Sequence, residues 1–403
     1  MSTQSPLDPR PLPDRPDLRH LKAQARDLHR AGGSASLADA LFQVARRYGF
    51  PSWPKLKAHV ATLAELGQLK SAIDADDVDR VRAMMTRNPA LHRASLGYGK
   101  AGPLTWAAEC RVPWGPPSPG RLTMVAWMIA NGSDVHQGGD APLCRAALFG
   151  HRVPMMELLV AHGADVNAER KGMYPIGSPC ETVDPTALRW LLAHGADPNG
   201  GHTAGRPTAL DNLIRSYVRT PSLAECIDLL VSAGGVTRYD APPVLDVLRG
   251  RTDGLAERLR ADPGLVHQRW PDLDVGATGM RRLTLAGATL LHAAAEYGNV
   301  DAVRLLLDHG ADVNARAAVD ASGVGGQTAI FHPVSQFGEA GLPVARLLVD
   351  RGADLSVRAT LPGHYERPTE FVTCTPLGYA RLFPGDDDSS ETVALLARSG
   401  ALD

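Results

Sequence analysis

Gly287-Ala-Thr-Leu-Leu-His-Ala-Ala-Ala-Glu-Tyr-Gly-Asn-Val-Asp-Ala-Val-Arg-Leu-Leu-Leu-Asp-His-Gly-Ala-Asp-Val-Asn-Ala-Arg316 is the stretch that decides the fold. The run Ala293, Ala294 and Ala295 lets one short helix approach its neighbours. Val303, Leu305, Leu306 and Leu307 give a second helix a thick apolar ridge. Gly310 ends that helix, where a positive φ is cheap for glycine. The closing phrase recurs along the chain. It is Asn131-Gly-Ser-Asp-Val-His, His162-Gly-Ala-Asp-Val-Asn, His194-Gly-Ala-Asp-Pro-Asn, His309-Gly-Ala-Asp-Val-Asn and Arg351-Gly-Ala-Asp-Leu-Ser, with a weaker copy at Ser399-Gly-Ala-Leu. Recurrence of this kind marks a solenoid, in which each unit buries its apolar face only against its neighbours.

These units resemble ankyrin repeats, over roughly residues 66 to 403. The stretch from Gly287 matches that family's Thr-Pro-Leu-His turn, short helix, Leu-rich helix and Gly-Ala-Asp-Val-Asn, with Leu290 in place of Pro. The resemblance implies an all-α solenoid of helix-turn-helix units with β-hairpin fingers. The lead segment Tyr48-Gly-Phe-Pro-Ser-Trp-Pro-Lys-Leu-Lys-Ala-His resembles that of a bacterial group of such proteins. It also implies that His292 ties adjacent turns together.

The glycines that close the repeats are unevenly spaced. Gly132, Gly163 and Gly195 lie 31 and 32 apart, and Gly234 follows after 39; Gly310, Gly352 and Gly400 follow after 76, 42 and 48. Extra residues in a repeat go into loops, often on the binding face. Three insertions, His267 to Gly287, Ala315 to Gln327 and Val357 to Thr375, fall where the resemblance places fingers, so they are expected side by side. They carry Arg269, Trp270, Arg281, Arg282, Arg316, Asp320, Gln327, His364, Tyr365, Glu366, Arg367 and Cys374. Long ordered loops tend to be functional, and the prolines and aromatics here speak for order.

The first 65 residues are different. Met1 to Asp17 is polar and Pro-rich, an extended or disordered tail without the apolar core of a signal peptide. Residues 18–65 read as three helices: Leu18 to Ala31, Leu37 to Tyr48, and Lys55 to Leu66 behind Ser52 and Pro54. A solenoid end needs covering, so this segment is expected to be a cap. The rival is a recognition module presenting Arg19, Lys22, Arg26, Arg46, Arg47, Lys55 and Lys57. Two degenerate phrases, Leu69 to His92 and Val244 to His267, each follow a break. They divide the array into residues 66–240 and 241–403. Two irregularities sit in the first part. Val112-Pro-Trp-Gly-Pro-Pro-Ser-Pro-Gly lengthens a turn, and Tyr174-Pro-Ile-Gly-Ser-Pro-Cys predicts a short or distorted helix.

Charge is balanced, with 42 Lys and Arg against 44 Asp and Glu. That balance argues against nucleic acid as a partner. No run reaches membrane-spanning length. Five cysteines without a CxxC pair read as free thiols in a reducing cytosol, with no metal site. There is no P-loop, GxSxG, HExxH or dinucleotide fingerprint. Gly323-Val-Gly-Gly reads as a plain turn. No cofactor is expected and catalysis is disfavoured.

Two histidines stand outside the repeat pattern: His332, displaced by one and followed by Pro333, and His364. If the last finger folds back over the inner helices, His364, Tyr365, Glu366 and Arg367 would meet Glu296, Tyr297, His332, Gln336 and Phe337. The expected function is a cytoplasmic protein-interaction scaffold. It would grip a protein or peptide through concave helices and fingers, with Trp270, Tyr297, Phe337 and Tyr365 as anchors. The alternative is small-molecule binding or catalysis around His332, His364, Glu366 and Arg367.

Overall fold

A computed structural model describes residues 10–13, 16–169, 174–200, 207–216, 220–271, 273, 285–363, 367, 369–382 and 390–401. The chain divides into two compact units, Met1–Gln137 and Gly138–Asp403.

In the first unit, α1 (Leu18–Arg30), α2 (Leu37–Arg47) and α3 (Trp53–Asp74) open the chain. Asp17 and Ser36 cap the first two by accepting from Arg19 and Asp39 backbone N–H groups. Leu21, Ala25, Ala40, Val44, Ala45, Leu56 and Val60 form their shared core. The third helix runs on past residue 66. Leu69, Ala72 and Ile73 are buried at its far end, so it also supplies the inner helix of the first repeat. Its outer partner is α4 (Val78–Arg87), followed by the pair α5 (Pro103–Ala108) and α6 (Pro119–Ala130).

Buried Arg121 anchors the Pro-rich turn between α5 and α6. Its guanidinium pairs with Asp76 at 2.5 Å and donates to the carbonyls of Ile73, Ala107 and Val112 at 2.7, 3.2 and 2.8 Å. Four acceptors around one guanidinium offset much of the cost of burying it. Trp114, next to this anchor, is 56% exposed.

The second unit repeats one pattern, a short inner helix and a longer outer one. The pairs are α7 (Ala141–Ala146) with α8 (Val153–Ala161), α9 (Gly177–Thr182) with α10 (Pro185–Ala193), and α11 (Ala209–Ile214) with α12 (Ser222–Ser232). Then come α13 (Pro242–Leu248) with α14 (Thr252–Ala261), and α15 (Leu290–Glu296) with α16 (Val300–Asp308). The next inner element is two 3₁₀ turns, Ala329–Phe331 and Pro333–Ser335, before α17 (Leu342–Asp350). A hairpin of β1 (Ala359–Pro362) and β2 (Phe371–Cys374) leads into α18 (Pro376–Ala380) and α19 (Glu391–Arg398).

The distortion expected at Tyr174 to Cys180 falls elsewhere. The six-residue α9 is as long as α7 and α11. The broken inner helix is the one interrupted by Pro333, which has no N–H to give to the preceding turn. Position 240 lies inside the second unit. Across it, Arg249 and Arg251 on one side hold Asp228 on the other, at 2.7 and 3.0 Å.

The outer helices other than α4 and α14 stop in the same way. At Gly310 (φ 85°) the N–H donates to Leu307 O, and Ala311 N–H reaches back to Leu306 O. The following Asp312 accepts from Asn314 N–H at 2.9 Å and fixes the turn. The asparagine then grips the next repeat with both ends of its amide. Asn314 donates to Gly352 O at 3.2 Å and accepts from Asp354 N–H at 2.7 Å. Asn199 holds Gly234 O and Val236 N–H, at 2.9 and 2.8 Å, and Asn167 holds Gly195 O and Asp197 N–H, at 2.9 and 2.7 Å. Each amide thereby satisfies one helix-ending carbonyl and one turn N–H of its neighbour. Asn314→Ala removes both bonds, so urea unfolding should show a loss of about 1–3 kcal/mol. Unchanged stability would mean that water replaces the clamp at no cost.

Candidate functional site

The fingers of residues 267–375 are joined by backbone pairing and by arginine. The Trp270 N–H donates to Ala288 O and Gly287 N–H donates back to Trp270 O, closing the first finger. In the second, Ala317 N–H donates to Gln327 O, and Asp320 accepts from Ser322 and Val324 N–H groups at the turn. Gly325 N–H then donates to Thr360 O at 2.8 Å, stitching the second finger to β1. Strands β1 and β2 pair antiparallel, Ala359 opposite Cys374 and Pro362 opposite Phe371. The expected side-by-side arrangement of the second and third fingers is therefore present in the hydrogen bonds. First and second also touch: a Cβ on Gly287 (φ 64°) would lie 2.4 Å from Ala318 Cβ, so only glycine fits there.

Three arginines cross-brace this stack. Arg269 donates to Gly287 O of its own finger and to Arg316 O of the next. Arg316 donates to Gly326 O at 2.8 Å and to Arg358 O at 2.7 Å. Arg358 donates to Thr373 O at 2.8 Å. The planar fork of a guanidinium suits such a double reach. Sequence reading placed Arg269 and Arg316 on fingers without this role and passed over Arg358. The signal was present: each arginine sits two residues beyond the end of a repeat, after His267, Asn314 and Ser356.

Beneath the fingers lies a buried polar cluster. His292 Nδ1 is 2.9 Å from Thr289 Oγ1, and its Nε2 is 3.2 Å from Gln327 O. The ring therefore links its own turn to the next repeat. Burial, then the neighbouring His332, pushes the His292 pKa down to about 3. His332 Nδ1 lies 2.9 Å from Glu296 Oε2, with both side chains wholly buried. At that distance the ring N–H donates to the carboxylate, and the two residues lock neighbouring repeats together. The His332 ring stands edge-on to His292, 5.7 Å between centroids. Gln336 donates to Glu296 O at 2.7 Å and Ala295 O at 3.3 Å. The Tyr297 hydroxyl donates to Ile214 O.

The structure thus brings Glu296, His332 and Gln336 together, with buried Gln327 joined through His292. Tyr297 points to another repeat. Trp270 and Asp320 serve their own fingers, and Arg367 is exposed, 3.3 Å from Glu370. Arg281, Arg282, His364, Tyr365 and Glu366 lie outside the described residues, as does the side chain of Phe337. Among the described residues, no group of His, Cys, Asp and Glu is placed to hold a metal ion. No helix among them is long and apolar enough to cross a membrane. Burial raises the thiol pKa of Cys226 to about 12 and of Cys374 to about 11, which leaves both as thiols.

Paired inner and outer helices, joined to their neighbours through capped turns and fingers, define a helical-repeat solenoid. A family model of ankyrin repeats in three copies matches residues 264–359, and a single ankyrin repeat matches residues 138–171. The chain contains ankyrin repeats. A comparison with curated proteins found no match.

Two outcomes test this geometry. His292 is neutral when folded and takes a proton below about pH 6.5 when unfolded. Its contribution is complete above that pH and is lost as pH falls toward 3, at roughly 1.4 kcal/mol per pH unit. His292→Asn should flatten this slope in a pH series of unfolding curves; an unchanged slope would show that His292 is not its source. Arg316→Ala should speed amide exchange at Gly325 without altering exchange in α8. Equal protection of Gly325 in both proteins would mean that the brace is dispensable.

Proposed function

We propose that residues 241–403 form the binding half of a protein-interaction scaffold, and that the braced fingers present its contact surface. Ankyrin repeats are in general protein–protein interaction modules. The single observation behind this reading is the arginine-braced stack, which spares the fingers the ordering cost that flexible loops meet on binding. Val319 at the second finger and Phe371 on β2 are 57% and 56% exposed. Apolar side chains held outward on an ordered framework are suited to anchor a partner. The inner-helix ends near Tyr297 and Gln336 would complete the surface.

The alternative, small-molecule binding or catalysis, draws on His332, His364, Glu366 and Arg367. His332 is sealed against Glu296, so its geometry favours the scaffold reading.

The test pairs Val319→Asp with Phe371→Asp in one variant. Both side chains are exposed, so the melting temperature should hold. Proteins retained by the wild type from a lysate of the source cells should fall about tenfold or more with the variant, in line with the loss of two anchors. Identical retention would refute the finger surface.

A further inference from the structure

We propose that the N-terminal helical segment is a second, separate binding surface, and that its ligand is the phosphate backbone of a nucleic acid. The near-neutral chain hides a strong segregation of charge. Residues 18–60 hold eight Lys and Arg against two Asp and no Glu, which leaves 34 basic against 42 acidic residues elsewhere. Whole-chain balance, the ground on which nucleic acid was set aside above, therefore does not describe this segment.

The structure turns that excess into a surface. On α1, Arg19, Lys22, Arg26 and Arg30 follow one another at spacings of three, four and four, so they lie on one face. At 1.5 Å per residue the row is about 16 Å long. The opposite face carries Leu21 and Ala25, both buried in the three-helix core. Few of the cations are neutralised. Arg19 pairs with Asp17 at 3.0 Å and Arg30 with Asp27 at 3.5 Å. Asp39, the other acid of the segment, is used by Ala35 N–H and Gln43. Lys22, Arg26, Arg46, Arg47, Lys55 and Lys57 have no ion-pair partner among the described residues. All but Arg47 are exposed.

Unpaired like charges this close repel one another, and a polyanion relieves the repulsion. A phosphate backbone, with a charge at every nucleotide, matches an evenly spaced row better than the scattered carboxylates of a protein surface. A lipid surface fits less well. Interfacial helices bind by sinking an apolar face, and that of α1 is already used by the core. The exposed Leu37 and Phe42 of α2 are five residues apart, about 140° around the helix, and form no such face. A row of cations that meets phosphates through charge binds the backbone, with little dependence on sequence expected.

The experiment uses the full chain with a fluorescein-labelled 20-base-pair DNA duplex and a 20-nucleotide RNA. Vesicles containing phosphatidylserine and a sample of polyglutamate are run in parallel. Anisotropy should show micromolar binding of at least one nucleic acid in 50 mM salt, weakening about tenfold or more by 200 mM. Lys22→Glu with Arg26→Glu should lower affinity about tenfold or more. Lys22→Arg with Arg26→Lys should keep it. If the charge-reversed protein melts early, Lys22→Gln with Arg26→Gln is read in its place, with a loss of about threefold or more expected. Three results would overturn the proposal: neither nucleic acid binding, undiminished affinity after charge reversal, or vesicles or polyglutamate binding at least as tightly. The finger variant above leaves these residues untouched, so the two surfaces are tested independently.

Discussion

A single asparagine amide, bonded at both ends to the next repeat, is what turns a string of helix pairs into an array. The outer helices leave orphan carbonyls and the following turns leave orphan N–H groups, and both kinds are costly if unmet. Asn167, Asn199 and Asn314 each satisfy one of either kind in the neighbouring repeat. The turn that aims each amide is set by its own aspartate, two residues earlier. Where the pattern lapses, other groups take over. After His136, which stands where the asparagine would, Asp140 accepts from Asp165 N–H at 2.9 Å. Repeat spacing is thus held by polar atoms at the rim as well as by leucine ridges in the core.

The fingers inherit this spacing. An arginine two residues past the clamp can reach the adjacent finger only because the clamp fixes where that finger starts. Arg316 depends on Asn314 in this way, since both contact the chain just past α17, at Gly352 and Arg358. The broken inner helix belongs to the same region. Pro333 divides it, Phe331 turns inward toward Tyr379 with ring centroids 6.1 Å apart, and His332 is left facing the previous repeat. Local irregularity here becomes a new contact between repeats.

The fold was legible because its signals are local. Gly310, Asp312 and Asn314 sit within five residues, and their chemistry needs no knowledge of the rest of the chain. The caps and the pairing of helices followed from such cues. The candidate site was only half legible. Glu296, His332 and Gln336 were named together, yet the complete burial of Glu296 and His332 depends on how Pro333 unwinds a turn, which periodicity does not encode. The arginine brace was missed for a different reason. Its acceptors are backbone carbonyls, which carry no letter in a sequence, so Arg316 looked like any charged loop residue. Charge segregation in residues 18–60 was visible, but it was averaged away in the whole-chain balance.

The clamp skips some junctions. Past Gly352 the asparagine is replaced by Ser356, whose hydroxyl turns back to its own Asp354 at 2.7 Å. Coupling in such an array is between nearest neighbours, so each junction needs a polar hold of its own. At this junction a carboxylate does the work of the amide: Glu339 accepts from the Thr392 N–H at 3.2 Å and from its hydroxyl, so α19 is tied to the previous repeat by a charged group where the earlier junctions use a neutral one.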